Sequence, residues 1–555
     1  MTRFNIRQFL VIIALSGIAQ VAYAQICATS DSNQNTACGT GTLSTSSIPG
    51  NNSAFGFDAL YSNTTGGFNT AAGSAALYWN VNGSSNSAFG QAALVNNSSG
   101  GWNTAIGYLT LQSNTTGQSN TATGYSALNN NTAGNYNTAY GVQALYKNQI
   151  DGSTAFGFQA LHENTTGSNN SAFGMNVLFD NTTGYDNTAS GYYALLSNTT
   201  GYDNTASGNN ALGQNTTGFN DTASGSYSLL SNTTGSYNTA DGVEALQNNT
   251  TGSYNTAVGY AAFLSNSTGS YNSAFGYQAL AGMGFATTGS YNAAVGSNAL
   301  YSNTTGANNT AFGYLALYSN NTGKGNAAQG VNALYSNTTG IRNLGIGSNA
   351  LYNNNGSYNI ALGFDAGYNV TTGSYNIELG TPGAPSDNNT IQIGVQGTQT
   401  STTIAGISGT QIIGSAVYVT ATGQLGVQGS SERFKTNIAP IPELTAKLQQ
   451  LRPVTFHYKT DPTGTPQYGL IAEEVDKIYP ELVIRDEKGQ IQGVHYEELA
   501  PMLLNEMQKE HATVATLVAQ HQVDAAKIAS LEQQLAGIQA ALVKLQPKDE
   551  LVAQR

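Results

Sequence analysis

Hydrophobic and polar positions recur along most of this chain with a single period. In Asn255-Thr-Ala-Val-Gly-Tyr-Ala-Ala-Phe-Leu-Ser-Asn-Ser-Thr-Gly-Ser-Tyr271 the pattern restarts at Asn272, 17 residues on. Twenty such units run from about Asn52 to Gly380, each with a glycine at one phase, as at Gly56, Gly73, Gly90 and Gly259. One residue is lost before Gly157 and before Gly363, and three are gained before Gly296. Two residues before this glycine stands Ala in nearly every unit (Ala54, Ala105, Ala206, Ala274), and four after it Leu (Leu60, Leu111, Leu212, Leu280). The residue just before it ranges from Phe and Ile to Ser, Asp241 and Gln329. The first two positions therefore face inward and the third faces solvent. A core of one Ala and one Leu per unit is too thin for a globular domain, but stacked coils make it continuous and bond each backbone to the next. The fold class expected is mainly β: an elongated parallel β-roll or solenoid of about twenty 17-residue coils over residues 51–380. Asn-Thr-Thr-Gly, as at 63–66 and 198–201, reads as the corner, with Gly at positive φ and Asn bonding its own backbone. At ~4.8 Å per strand the array would extend on the order of 95 Å.

Beyond Gly380 the period stops. Residues 381–429 hold short β-branched runs, Thr390-Ile-Gln-Ile-Gly, Thr402-Thr-Ile-Ala-Gly-Ile and Val417-Tyr-Val-Thr, and read as a β-structured neck whose open edges neighbouring chains would cover. From Ser430 the chain becomes charged and reads as a small α+β domain, 430–505. Its expected elements are a helix over 442–451, a strand over 454–459, a helix over 472–479, a hairpin around Asp486-Glu-Lys-Gly489 and a long helix from about Glu497. Over 506–546 that helix carries Met507, Val514, Leu517, Ile528, Leu531, Leu535, Ile538, Leu542 and Leu545 at coiled-coil spacing, which calls for an oligomer. His521 and Asp524 fall on the same seam and weaken its middle.

Arg3 and Arg7 precede the apolar run of residues 9–14, and Ala22-Tyr-Ala24 offers a cleavage site, so residues 1–24 read as a secretory signal. Export places the protein outside the cell or on its surface. No later stretch approaches the ~20 apolar residues of a membrane span. Only 9% of residues are charged, and 65 are Gly, a fibre-like composition. A net charge of −12 argues against a nucleic-acid partner. No cofactor or metal is expected. Cys27 and Cys38, in an N-terminal cap over 25–50, read as a local disulfide or a link between chains.

Gly429-Ser-Ser-Glu-Arg-Phe-Lys435 marks the junction of the two compositions. A serine hydroxyl needs a base, and a lysine serves when burial or nearby positive charge lowers its proton affinity. Ser430 is the candidate nucleophile, Lys435 the candidate base, Arg433 the nearest cation, and Gly429-Ser430 the bond to be cut. Residues five apart lie ~140° apart on an α-helix and on opposite faces of a strand, so the pair meets only through a bend or across subunits. His457 and His495 are alternative bases.

Ser430-Ser-Glu-Arg-Phe-Lys435, Tyr468-Gly-Leu-Ile-Ala-Glu-Glu-Val-Asp-Lys-Ile-Tyr-Pro-Glu-Leu-Val483 and His495-Tyr-Glu-Glu-Leu-Ala-Pro-Met-Leu-Leu504 together resemble the intramolecular chaperone domain of phage endosialidase tailspikes and tail fibres. The resemblance implies a homotrimer, assisted folding of the upstream fibre, and self-cleavage by a dyad at Ser430 and Lys435. Ser431 stands where that family usually has Asp. The unit Asn-Thr-Ala-x-Gly-x-x-Ala-Leu resembles the head repeat of trimeric autotransporter adhesins, which implies a parallel β-roll in a three-chain head.

A trimeric fibre, adhesin-like or tail-fibre-like, is the leading reading, with a cell-surface or glycan ligand. The alternatives are a glycan-binding or glycan-processing spike and an ice-binding solenoid. Against action on an external substrate, the acids Asp186, Asp203, Asp241 and Glu244 take outward variable positions and form no recurring carboxylate pairs. Asn-x-Thr sites recur at one phase, which favours turn chemistry over glycosylation. The repeated Tyr favours a packing ladder over a glycan platform.

Overall fold

The computed structural model describes residues 31–44, 50–405, 414, 416–420, 422–441, 443–486 and 488–545. The expected signal segment and Cys27 lie outside the described residues. The chain divides into two units after Gln399.

The first unit is a parallel solenoid. Twenty-two short strands, from β1 (Thr36–Cys38) to β22 (Ile391–Ile393), form one sheet, each strand pairing in parallel with its successor. Residues 17 apart sit side by side, as Ala88 beside Ala105. The ladder thus continues one strand beyond the strict period at each end, and the first β-branched run of the neck is its last strand. The irregular units keep this register. Thr138 pairs with Thr154 across the shortened one, and the three extra residues before Gly296 leave as a turn over Gly282–Gly284, so Ser273 still meets Ala293.

Ala54 and Leu60 and their counterparts are completely buried, as the period requires. A second alanine joins them, three after the glycine, at Ala59, Ala76 and Ala93. Two columns of asparagine are buried as well. Asn80 Nδ2 donates to Asn63 Oδ1 of the preceding coil (2.8 Å) and to the Gly83 carbonyl (2.9 Å). In the other column, Asn69 donates its backbone N–H to Asn52 Oδ1 (3.0 Å) and its side-chain amide to the Gly83 carbonyl (2.9 Å). A buried amide is costly without partners and nearly neutral with them. Each Asn is therefore bonded both to its own coil and to its neighbour. In the folded coil the Asn-x-Thr amides at Asn63 and Asn198 are buried and engaged, as turn chemistry requires.

The corner differs from expectation in its backbone. Gly66 and Gly201 are not in the left-handed region; they are glycines because the next coil passes so closely that a Cβ on Gly66 would lie 2.2 Å from the Gly83 carbonyl oxygen. Positive φ falls instead on the phase-marking glycine (Gly56, +131°) and on Asp58 (+56°), Leu60 (+52°) and Phe68 (+62°). Left-handed non-glycine residues cost roughly 1–2 kcal/mol each. Here inter-coil bonds such as Leu60 N–H to the Ala76 carbonyl (3.0 Å) hold them in place.

Outward positions on either side of the phase-marking glycine form apolar columns. Phe55, Phe89, Phe156 and Phe173 stand before it and Phe57, Tyr108, Phe158 and Tyr277 after it, all at least two-fifths exposed. The repeated tyrosines stack coil on coil, with Tyr237, Tyr254, Tyr271 and Tyr291 at 4.8, 4.9 and 5.1 Å between centroids.

The second unit begins with an exposed hairpin, β23 (Tyr418–Val419) against β24 (Leu425–Gly426). Its core gathers Val475, Tyr479, Leu482, Val483, Val494 and Leu499. Around it lie a 3₁₀ segment (Glu443–Gln450), the hairpins β25 (Val454–Phe456) with β26 (Gln467–Gly469) and β27 (Val483–Arg485) with β28 (Ile491–Val494), and helix α1 (Ala472–Val475). Helix α2 (Tyr496–Leu545) closes the core with its first turns, where Asn505 Nδ2 and Lys509 Nζ donate to Thr445 Oγ1 at 3.0 and 3.2 Å. The first two expected helices are shorter or more tightly wound than their sequences suggested, because Pro453 and Pro480 follow them closely.

Candidate self-cleavage site

Ser430 and Lys435 are brought together by one tight turn. Ser431 is extended (φ −68°, ψ 143°), residues Glu432–Phe434 make a single 3₁₀ turn, and Lys435 is extended again (φ −121°, ψ 145°). The turn is closed by Phe434 N–H to the Ser431 carbonyl and Lys435 N–H to the Glu432 carbonyl, both at 3.0 Å. It folds the lysine side chain back, and Lys435 Nζ donates to Ser430 Oγ at 3.2 Å. This is the bend that the five-residue spacing demanded, and it forms within one chain.

Two neighbours were not legible in the spacing. The Phe434 ring lies against Gly429, where an added Cβ would come within 3.1 Å of Cδ2. Arg433, expected as the cation beside the lysine, instead holds its guanidinium 4.6 Å from the centre of that ring. Cation and aromatic face attract each other, so its charge is directed to the ring over Gly429, the residue preceding the candidate cleavage bond. Ser431 occupies the position that caps the turn, but its hydroxyl makes no capping bond.

Neither histidine is hydrogen-bonded to Ser430 among the described residues. His495 Nδ1 is 2.8 Å from Glu497 Oε1, and His457 is exposed next to β25. Ser430, Lys435 and Phe434 are exposed too.

Residues 430–484 match the family model described as the chaperone of endosialidase. The match starts at Ser430, so the first matched residue is the candidate nucleophile, and two of the three motifs fall within the match. The third, His495 to Leu504, follows directly as β28 passes into helix α2. Comparison with curated proteins and with solved structures returned no match.

The module is tied internally by ion pairs on its surface, Arg452 to Glu474 and Arg485 to Asp476. One face stays open: an apolar groove of about 720 Å³ lined by Leu448, Leu451, Val454, Tyr468, Tyr496 and Leu503. Among the described residues no helix is long and apolar enough to cross a membrane, and no group of three or more His, Cys, Asp or Glu could hold a metal ion. Cys38, in β1, is disulfide-bonded. The sequence has one other cysteine.

Proposed function

We propose that this chain is one subunit of an exported trimeric fibre, tail-fibre-like or adhesin-like, whose chaperone module assembles the trimer and then cuts itself away at Gly429-Ser430. The observation that carries this reading is the 3.2 Å contact between Lys435 Nζ and Ser430 Oγ at the first residue of the family match.

In the first step Ser430 Oγ attacks the Gly429 carbonyl carbon. A neutral Lys435 amine takes the hydroxyl proton, the C–N bond breaks, and the released Ser430 amine is protonated, leaving an ester between Gly429 and the Ser430 side chain. Water then hydrolyses the ester to a Gly429 carboxylate and a free hydroxyl. A lysine amine is neutral near pH 7 only where water is excluded or positive charge is close. With both dyad side chains exposed in the single chain, covering by neighbouring subunits would activate the site. Trimer assembly is supported by the family resemblance, by the open apolar groove and by the seam of α2, where Leu517, Leu531, Leu535 and Leu542 each keep more than half of their surface exposed. Export rests on the N-terminal signal pattern, and a disulfide from Cys38 to Cys27 would agree with an oxidising destination.

Intact-mass analysis of purified protein tests the cleavage. The expected result is a fibre ending at Gly429 and a fragment running from Ser430 to Arg555. Ser430→Ala and Lys435→Ala should each leave full-length chain that still assembles, while Ser431→Ala cleaves normally. Two pieces from Ser430→Ala would instead assign the cut to another residue or an outside protease.

A further inference from the structure

The last full coil of the solenoid contains a carboxylate where every preceding coil has Ala or Gly. In β21 (Ile377–Leu379) the inward residue is Glu378, stacked between Ala361 and Gln392 in the parallel register. Its side chain is completely buried, and neither carboxylate oxygen has a hydrogen-bond partner. Room for it exists because the chain leaves the regular path here. Gly380 has φ +64° where the other phase-marking glycines lie near +130° (Gly363, +129°), and the coil from Ile377 to its partner Ile391 has 14 residues instead of 17.

That shortened coil brings a second carboxylate to the first. A Cβ on Gly383 would lie 3.2 Å from both Glu378 Cδ and Asp387 Oδ2, so the two acids flank the same turn. Asp387 Oδ2 is fixed by the Ala384 N–H (2.6 Å) and by Gln392 Nε2 (3.0 Å), and Gln392 Oε1 accepts from Thr381 Oγ1 at 3.4 Å. Neutral and anionic oxygens thus converge on one end of the core. No Lys, Arg or His occurs between Arg342 and Arg433, so no coil flanking the pair can supply a cationic side chain. Burial, then the charge of Asp387, pushes the Glu378 carboxyl up to about 7.

We propose that Glu378 and Asp387, with Thr381 Oγ1 and Gln392 Oε1 beside them, form a calcium site that closes the C-terminal end of the solenoid. Two carboxylates with neutral oxygens suit a hard cation that takes six to eight oxygen ligands and tolerates irregular geometry. The cation supplies the positive charge that the flanking sequence lacks. A buried carboxylate is tolerated when paired or metal-bound.

The test uses the full chain above pH 7, where Glu378 is ionised, and reads amide hydrogen exchange at Ile377 and Gly394, which donate to the Thr390 and Leu379 carbonyls across the last coils. Calcium chloride should slow exchange at both by about tenfold or more when in large excess over its dissociation constant, and magnesium chloride should do far less. Glu378→Ala, which restores the residue of the other coils, should exchange slowly without calcium and not respond to it. Asp387→Asn should need more calcium for the same protection. Equal exchange with and without calcium in the native chain overturns the site, as does equal calcium protection of Glu378→Ala. Protection that follows pH alone would show the pair to be held by a proton, and overturns it too.

Discussion

The solenoid and helix α2 are both long, repetitive and built on one apolar position in a few, but they complete their packing differently. In the solenoid each Ala, Leu and Asn of the core columns meets its counterpart from the next coil, and these columns are buried within one chain. In α2 only Leu499 is buried, and the seam from Met507 to Leu545 finds no counterpart among the described residues of its own chain. Each solenoid coil has its neighbour supplied by sequence; in the proposed assembly, each turn of the helix takes its neighbour from another chain. Breaking the two regions should therefore give different signatures, local instability in one and loss of assembly in the other.

The largest effect is expected from Leu535→Pro. A proline inside a helix costs about 3 kcal/mol or more and removes a backbone bond, multiplied over every chain of the proposed trimer. Light scattering should fall to the monomer mass. If assembly covers the dyad, intact mass should also show slower cleavage, although Leu535 is remote in sequence from Ser430. Cleavage at the native rate in a monomer would separate the chemistry from assembly.

In the solenoid, Leu229→Ala deletes one fully buried side chain from the continuous core. The expected loss is about 2–5 kcal/mol, felt by adjacent coils and leaving the oligomer mass unchanged. Hydrogen exchange should rise around Leu212 and Leu246 before it rises at the ends.

Asp221 sharpens the comparison further, because it takes an asparagine's place in a buried column. It accepts from Asn238 N–H (2.8 Å) and from Asn232 Nδ2 (3.1 Å), and burial pushes its carboxyl from 3.8 up to about 7. The folded state therefore holds a proton that the unfolded chain releases near 3.8. Stability from this residue is full below that value, falls as pH rises to about 7, and is level above. Burial also pushes the Glu378 carboxyl up, from 4.5 to about 7, so the windows overlap and the measurement is the difference between native protein and Asp221→Asn. The substitution should remove part of the fall in melting temperature between these pH values and stabilise the chain above them.

The smallest effect is expected at the outer ladder. Tyr254 stacks on Tyr237 and Tyr271 but stays half exposed. Tyr254→Ala should cost about 1 kcal/mol, read as a slight shift in the thermal midpoint with assembly and cleavage intact.

Much of this was legible in the sequence because one unit repeated twenty times compares its own positions. Ala54 and Leu60 announce an inward face by staying constant while Phe55 and Asp241 vary. The buried asparagines were equally constant, but a polar residue reads as surface unless its partner is visible, and that partner is the same residue one coil away. Left-handed Leu60 was hidden for a related reason: its conformation is held by bonds to the next coil against its own preference. Asp221 and Glu378 carried a usable signal, since Asp221 stands at a phase held in nearly every unit by Asn and Glu378 at one held in the preceding coils by Ala or Gly. At the junction, the spacing of Ser430 and Lys435 required a bend and the 3₁₀ turn provides it. The Phe434 ring over Gly429 follows from that turn and could not be read beforehand.

The in-register pairing of each strand with its successor makes the solenoid a gauge. Each coil adds one strand spacing of ~4.8 Å and recognises only the coils on either side. An in-frame gain or loss of one repeat in the gene would therefore lengthen or shorten the array by one fixed step, with every remaining contact preserved. Near-identical repeats are also the sequences on which replication slips. Length in such a protein is a count, open to change by whole numbers at almost no cost to folding.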